Sequence, residues 1–263
     1  MKRFHFCVLG AAVIVCLAGG VTEVFGSSAS TGQVWPVQMP YESPPETAEF
    51  PDVSIPQNTS PLDQEELRRA EALLPLLEGK QEFWAMGEFV HLGEPVVPVL
   101  VKALSMPSAR IRYNAIETLS MMKGVTGVPA LIRTAEEPTE IPRVREHALR
   151  VAIRLDPRKA PEAIEIMAED PNPSVRKAAA FESRYVRHRD VIPVLIPLVS
   201  DKERYVAWSA VQSLWILTRH ETEFHDWDTS SAEDRALWAI EWIQWWDNYK
   251  DVFEFPQPSK PKR

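Results

Sequence analysis

Four stretches of this chain open with proline and run on into apolar residues: "EPVVPVLVKAL", "TGVPALIRTA", "RKAPEAIEIMA" and "RDVIPVLIPLV". Their aligned prolines, Pro98, Pro129, Pro161 and Pro193, lie 31, 32 and 32 residues apart. A second helical run follows each: "ARIRYNAIETLSMM", "PRVREHALRVAIRL", "PSVRKAAAFESRYV" and "RYVAWSAVQSLWIL". The aligned small residues there, Ala115, Ala148, Ala179 and Ala210, lie 33, 31 and 31 apart. Two offset series sharing one period define an internal repeat. Proline in the first turn of a helix sacrifices no hydrogen bond, because that N–H has no intrahelical acceptor. Val144, Ala148, Val151, Ala152 and Leu155 fall on one face at helical spacing. One helix pair cannot bury both its faces, so neighbours must stack. The expected fold class is therefore all-α, an alpha-alpha superhelix.

These residues resemble the HEAT repeat, including the HEAT-like repeats first named from phycobilin lyases. "GEPVVPVL" and the Val-Arg-type opening of the second helix carry the resemblance, in Ile111-Arg112…Ala115, Val144-Arg145…Ala148 and Val175-Arg176…Ala179. The fourth copy departs, with Val206-Ala207. The resemblance implies a solenoid of about five helix pairs plus a C-terminal capping helix. Residues 62–92 form a degenerate first pair, followed by repeats at 93–124, 125–156, 157–188 and 189–220 and a cap at 221–255. It also implies that Arg112, Arg145 and Arg176 bond acidic groups in neighbouring turns, with Asp170 and Asp201 as partners.

The two ends read differently. Lys2 and Arg3 precede a 13-residue apolar run, "CVLGAAVIVCLAG". That is short for a membrane span and suits an export signal over 1–26, with an uncleaved anchor as the alternative. Both cysteines, Cys7 and Cys16, lie within it, so the mature chain would have no disulfide and no thiol nucleophile. Residues 27–61 hold seven prolines and no periodicity, as expected of a disordered linker. Residues 256–263 read as a disordered tail. A formal net charge of −8 argues against nucleic acid as a partner.

One basic strip stands out on this acidic chain. Arg143, His147, Arg150 and Arg154 share a stripe on the second helix of their repeat. Phe181, Arg184 and Tyr185 occupy the same region one repeat on. These seven are the candidate partner-binding residues, and the alternative is a solvated helix face.

The C-terminal stretch "RHETEFHDWDTSSAEDRALWAIEWIQWWDNY" gathers histidines, carboxylates and tryptophans. A zinc-binding helix would space its histidines by four. His220 and His225 are five apart, which on a helix turns them about 140° from each other. His225, Asp226 and Asp228 remain candidate ligands if the segment is a loop, but no metal or cofactor is expected. Ser230 and Glu233 read as a capping box. Trp238, Trp242, Trp245, Trp246 and Tyr249 then fall on one helical stripe, a structural cap over Val206, Ala210, Leu214 and Trp215. The order Leu217-Thr218, Phe224, Asp228, Trp242, Trp245-Trp246, Asn248 is similar to the ending of exported bacterial HEAT-like proteins, with Arg219 where those have glycine.

No catalytic residue emerges. The expected task is a non-catalytic protein-interaction scaffold in the periplasm or at the cell surface, binding a protein through the strip. One alternative is a metal-binding protein or metal-dependent enzyme using the His220–Asp228 loop. Another is a phycobilin-lyase-like HEAT protein, which an export signal would set apart from cytoplasmic bilin chemistry.

Overall fold

The computed structural model describes residues 60–257 apart from 221 and 223–225. The chain divides into units 1–52 and 53–263, and only the second holds described residues. The expected export signal, most of the expected linker, and His225 lie outside them.

Five helix pairs follow one another. The first helices are α1 (Gln64–Leu73), α3 (Val97–Ala103), α5 (Val128–Glu136), α7 (Pro161–Ala168) and α9 (Val191–Leu198). The second helices are α2 (Glu82–Leu92), α4 (Ala109–Met122), α6 (Pro142–Leu155), α8 (Pro173–Glu182) and α10 (Arg204–Thr218). A final helix, α11, spans Ala232–Tyr249. No strand occurs among the described residues. This is an all-α, HEAT-like solenoid.

Local chemistry explains where the helices begin. Proline stands in the first two positions of α3, α5, α6, α7 and α8. Ser108 caps α4 by accepting from the Ile111 N–H, and Asn172 caps α8 by accepting from Ser174. Asp63 and Glu66 form a capping box on α1. At the end of α2 the backbone turns at Gly93 with φ 75°, a conformation that glycine adopts without steric cost.

The core lies between the two helix layers. Ala115, Ala148, Ala179 and Ala210 are all fully buried, and their size lets paired helices approach closely. Leu100, Leu131, Ile164 and Leu195 meet them from the first helices, each worth roughly 1.5–3 kcal/mol in burial. Second helices also neighbour each other in order: α2 on α4, α4 on α6, α6 on α8 and α8 on α10.

The polar turns are held by the repeat arginines. Arg112 donates to the carbonyls of Met106 and Pro107, both at 2.8 Å, and to Glu140 at 2.6 Å. Arg176 donates to the carbonyls of Asp170 and Pro171, at 2.8 and 3.2 Å, and to both carboxylate oxygens of Asp201. Arg145 bonds the Ala135 carbonyl and Asp170. Asp170 and Asp201 also accept backbone N–H groups from Asn172 and Glu203, so each carboxylate closes its own turn and anchors the preceding repeat.

The fourth repeat solves the same problem with a residue from elsewhere. By position, an arginine at 207 would reach the carbonyls of Asp201 and Lys202, but Ala207 stands there. Arg235 of α11 supplies the guanidinium instead. It donates to Asp201 O at 3.3 Å and Lys202 O at 3.3 Å, and to Ser230 O and Ser231 O at 3.2 and 3.0 Å. It is buried, although most arginines stay exposed.

Two expectations for the cap need correction. The capping box is Ser231 with Asp234, one residue beyond the expected pair. Ser230 is occupied otherwise: its hydroxyl donates to Trp227 O, and its own carbonyl accepts from Arg235. Second, α11 lies against α9, so Trp215 on α10 remains 49% exposed and is not covered. At the first residue of the expected tail, the Pro256 carbonyl accepts from Arg187 at 2.6 Å, and residues 258–263 lie outside the described residues.

Replacing Arg235 with methionine strands the buried Ser230 carbonyl and the partly buried carbonyls of Asp201, Lys202 and Ser231, at up to about 1–3 kcal/mol for each group left unpaired in the interior. The expected cost is on the order of 2–4 kcal/mol in urea unfolding. A loss within about 0.5 kcal/mol of zero would show that Arg235 does not hold the last turn.

Candidate functional site

The seven strip residues separate into those that face a cleft and those that do not. Arg143 is exposed and lies 5.0 Å from the centre of the Tyr113 ring. His147 is buried, stacked on that ring at 4.2 Å, and so is withdrawn from the surface where the helical stripe placed it. The spacing rule finds the face of α6 but not Tyr113 of α4, which covers it. Its Nε2 lies 3.0 Å from Glu117 but outside hydrogen-bonding alignment, and its Nδ1 has no partner. Arg184 turns aside, donating to the Phe181 carbonyl at 2.8 Å with its guanidinium 3.8 Å from the Phe181 ring centre. Burial holds its pKa below the ordinary arginine value.

The other four line one cleft of about 510 Å³ between the C-terminal halves of α6 and α8. Arg150 and Arg154 stand on one side, Phe181 and Tyr185 on the other, with Ile153 and Glu182 completing the lining. Arg150 donates to Glu182 at 2.8 Å and cancels that buried carboxylate. Arg154 is exposed and forms no hydrogen bond or ion pair with another described residue. The cleft thus keeps one uncancelled guanidinium opposite two exposed rings. Glu182 and Ile153 were not singled out in the sequence. A signal existed for Glu182: it lies one residue past the position that the 31-residue period aligns with Arg150, which brings the two onto facing helices.

The C-terminal loop does not assemble a metal site among the described residues. Asp226 is exposed and accepts from the Asp228 N–H at 3.2 Å, and the Asp228 carbonyl accepts from Arg204. His220 is a ring anchor, stacked on Trp245 at 4.6 Å and edge-on to Trp242 at 5.1 Å. Burial pushes its pKa down. Arg219 adopts φ 56°, the left-handed conformation that a glycine would take without strain.

The predicted aromatic stripe is unevenly buried. Trp242 is 2% exposed, Trp238, Trp245 and Trp246 are half-buried, and Tyr249 is exposed but stacks on Trp245 at 5.9 Å. Phe253 packs edge-on to Trp246 at 5.5 Å. Leu237, Ile240 and Ile243 face outward, so α11 buries only part of its apolar surface.

The family comparison agrees on the architecture of the last two repeats. The family model for HEAT repeats matches residues 160–222, which span α7 to the end of α10. These repeats are HEAT repeats. No curated protein matches the sequence. Among solved structures, the chain is similar to the complex of CpcE and CpcF of phycocyanin lyase from Nostoc sp. PCC7120. Identity is 20% and the TM-score 0.47, over 57% of this chain and 99% of that one. The likeness is one of fold. The expected non-catalytic adaptor, and with it the expectation of no enzymatic activity, is corrected here. Neither comparison supports it, and the similar solved structure is of a lyase.

His147 gives the site a pH signature. Burial holds its pKa below the ordinary value, more than Glu117 raises it. The folded state therefore binds this proton less readily than the unfolded chain does. Stability is full above the unfolded pKa of about 6.5 and falls as pH drops through and below it. The expected result is that His147→Gln flattens the slope of unfolding free energy between about pH 6.5 and 5. An unchanged slope in the variant would assign that dependence to other groups.

Proposed function

We propose that this HEAT solenoid is lyase-like, holding a flat, conjugated carboxylic acid in the α6–α8 cleft for a protein partner on the second-helix face. Open-chain tetrapyrroles, with acidic side chains on a conjugated backbone, belong to that ligand class. The observation that carries the reading is Arg154, an exposed guanidinium without a partner among the described residues, opposite Phe181 and Tyr185. A guanidinium matches a carboxylate with two parallel hydrogen bonds. The rings supply faces on which a planar π-system can stack. A volume of about 510 Å³ lies within the usual range for small-molecule sites. Arg150 contributes by neutralising Glu182, which would otherwise repel an acid.

HEAT repeats generally mediate protein interactions, which supports a protein partner on the same face. No helix among the described residues is long and apolar enough to cross a membrane. The charged and apolar start of the chain supports an exported location, and cell fractionation tests that separately.

Titration with biliverdin, followed by its visible absorption, tests the cleft. Arg154→Glu is expected to weaken binding by about tenfold or more, the loss of a charge-assisted hydrogen bond worth at least about 1.4 kcal/mol. Tyr185→Ala should weaken it severalfold. The dimethyl ester of biliverdin should bind wild type and Arg154→Glu alike. Equal affinity of wild type and Arg154→Glu for the free acid would sink the proposal.

A further inference from the structure

Each second helix but the last passes a polar contact forward. Glu117 of α4 meets His147 of α6 at 3.0 Å. Arg150 of α6 reaches Glu182 of α8, and Arg184, in the turn that ends α8, reaches Gln212 of α10 at 3.5 Å. One period after Arg184, the same position on α10 is Trp215. Among the described residues there is no further second helix for it to meet, and α11 lies against α9. Trp215 is 49% exposed, and Trp208, one period after Lys177, is 41% exposed despite touching Trp227. The forward edge of the second-helix layer is therefore aromatic and open.

Among the described residues the backward edge is open too. On α2, Glu82 faces forward and accepts from Arg110 and Asn114 of α4. Trp84 lies two residues on, about 200° around the helix, and so faces the opposite way. It is 54% exposed and its neighbour Phe83 is 79% exposed. Among the described residues no second helix precedes α2. Each copy thus carries both halves of the contact by which successive repeats join. The charges agree, with Arg219 beside Trp215 on one edge and Glu88 one turn from Trp84 on the other.

We propose that copies of this chain associate head to tail, the α10 edge of one copy against the α2 edge of the next. A second copy continues an interface that the array already makes three times between α4 and α10. The contact is heterologous, using two different patches and leaving one of each free at the ends.

Sedimentation velocity of the full chain over a concentration series tests this. Wild type should show an average mass that rises with concentration above that of one chain. Trp84→Glu and Trp215→Glu should each remain monomeric alone, since each lacks one edge. Mixed, they should form a one-to-one pair and nothing larger, because each retains the edge that the other lost. A wild type that is monomeric throughout overturns the proposal. So does a mixture that fails to pair. Self-association of Trp84→Glu alone would mean that α10 edges pair with each other, and overturns it as well. Thermal melts verify that both variants fold, and the glutamine variants at the same positions replace any that does not.

Discussion

From the second pair onward, each repeat exposes backbone carbonyls that the helices cannot satisfy, and a buried or nearly buried guanidinium satisfies them. In the second and fourth pairs the arginine sits three residues before the invariant-size alanine of its own helix, as Arg112 before Ala115 and Arg176 before Ala179. It then bonds a carboxylate of the following repeat, Glu140 or Asp201. Stacking and turn closure are thereby one interaction. Burying such a pair is not a strong source of net stability, since desolvation offsets most of the attraction. Its value is in register. A repeat shifted by one residue would lose both the carbonyls and the carboxylate together, and unpaired buried charges are costly.

The last repeat shows how that constraint shapes the end of the array. With alanine at 207, the turn at Asp201 and Lys202 needs an outside donor, and Arg235 must come from α11. That requirement draws α11 onto α9 and away from the edge of α10. Its tryptophans then pack around His220 and Trp227 instead of over Trp215. The cap is thus placed by a polar need, and its aromatic residues fill the space this leaves.

What could be read from the sequence follows from what repeats. The prolines and alanines recur with the period, so the helix pairs and the buried faces are visible in one chain. The roles of Arg145 and Arg176 are visible for the same reason, with Asp170 and Asp201 one repeat away. Features that occur once are hidden. Arg235 acts on a turn 33 and 34 residues earlier, and nothing near it marks the debt left by Ala207. His147 looks like part of a surface stripe until Tyr113 of the preceding repeat covers it. The capping box shifts from Ser230 to Ser231 because Ser230 is already engaged in its own loop, its hydroxyl donating to the Trp227 carbonyl and its carbonyl accepting from Arg235. Within the cleft, the arginines and rings were visible as a composition, whereas the cancelling of Glu182 by Arg150 needed the pairing of α6 with α8.

The same distinction separates structural charge from functional charge on this face. Arg112, Arg145, Arg176 and Arg235 are all consumed by carbonyls or carboxylates, and each is buried or nearly so. Arg150 is half consumed, bonded to Glu182 yet bordering the cleft. Arg154 sits one turn further on, at a repeat position held by Met121 in α4 and by Tyr185 in the turn that follows α8. Neither of those residues can take part in the arginine ladder, so the ladder does not account for a charge there. A guanidinium that the fold does not need, next to rings that the core does not bury, is the part of this surface whose chemistry is left for a ligand.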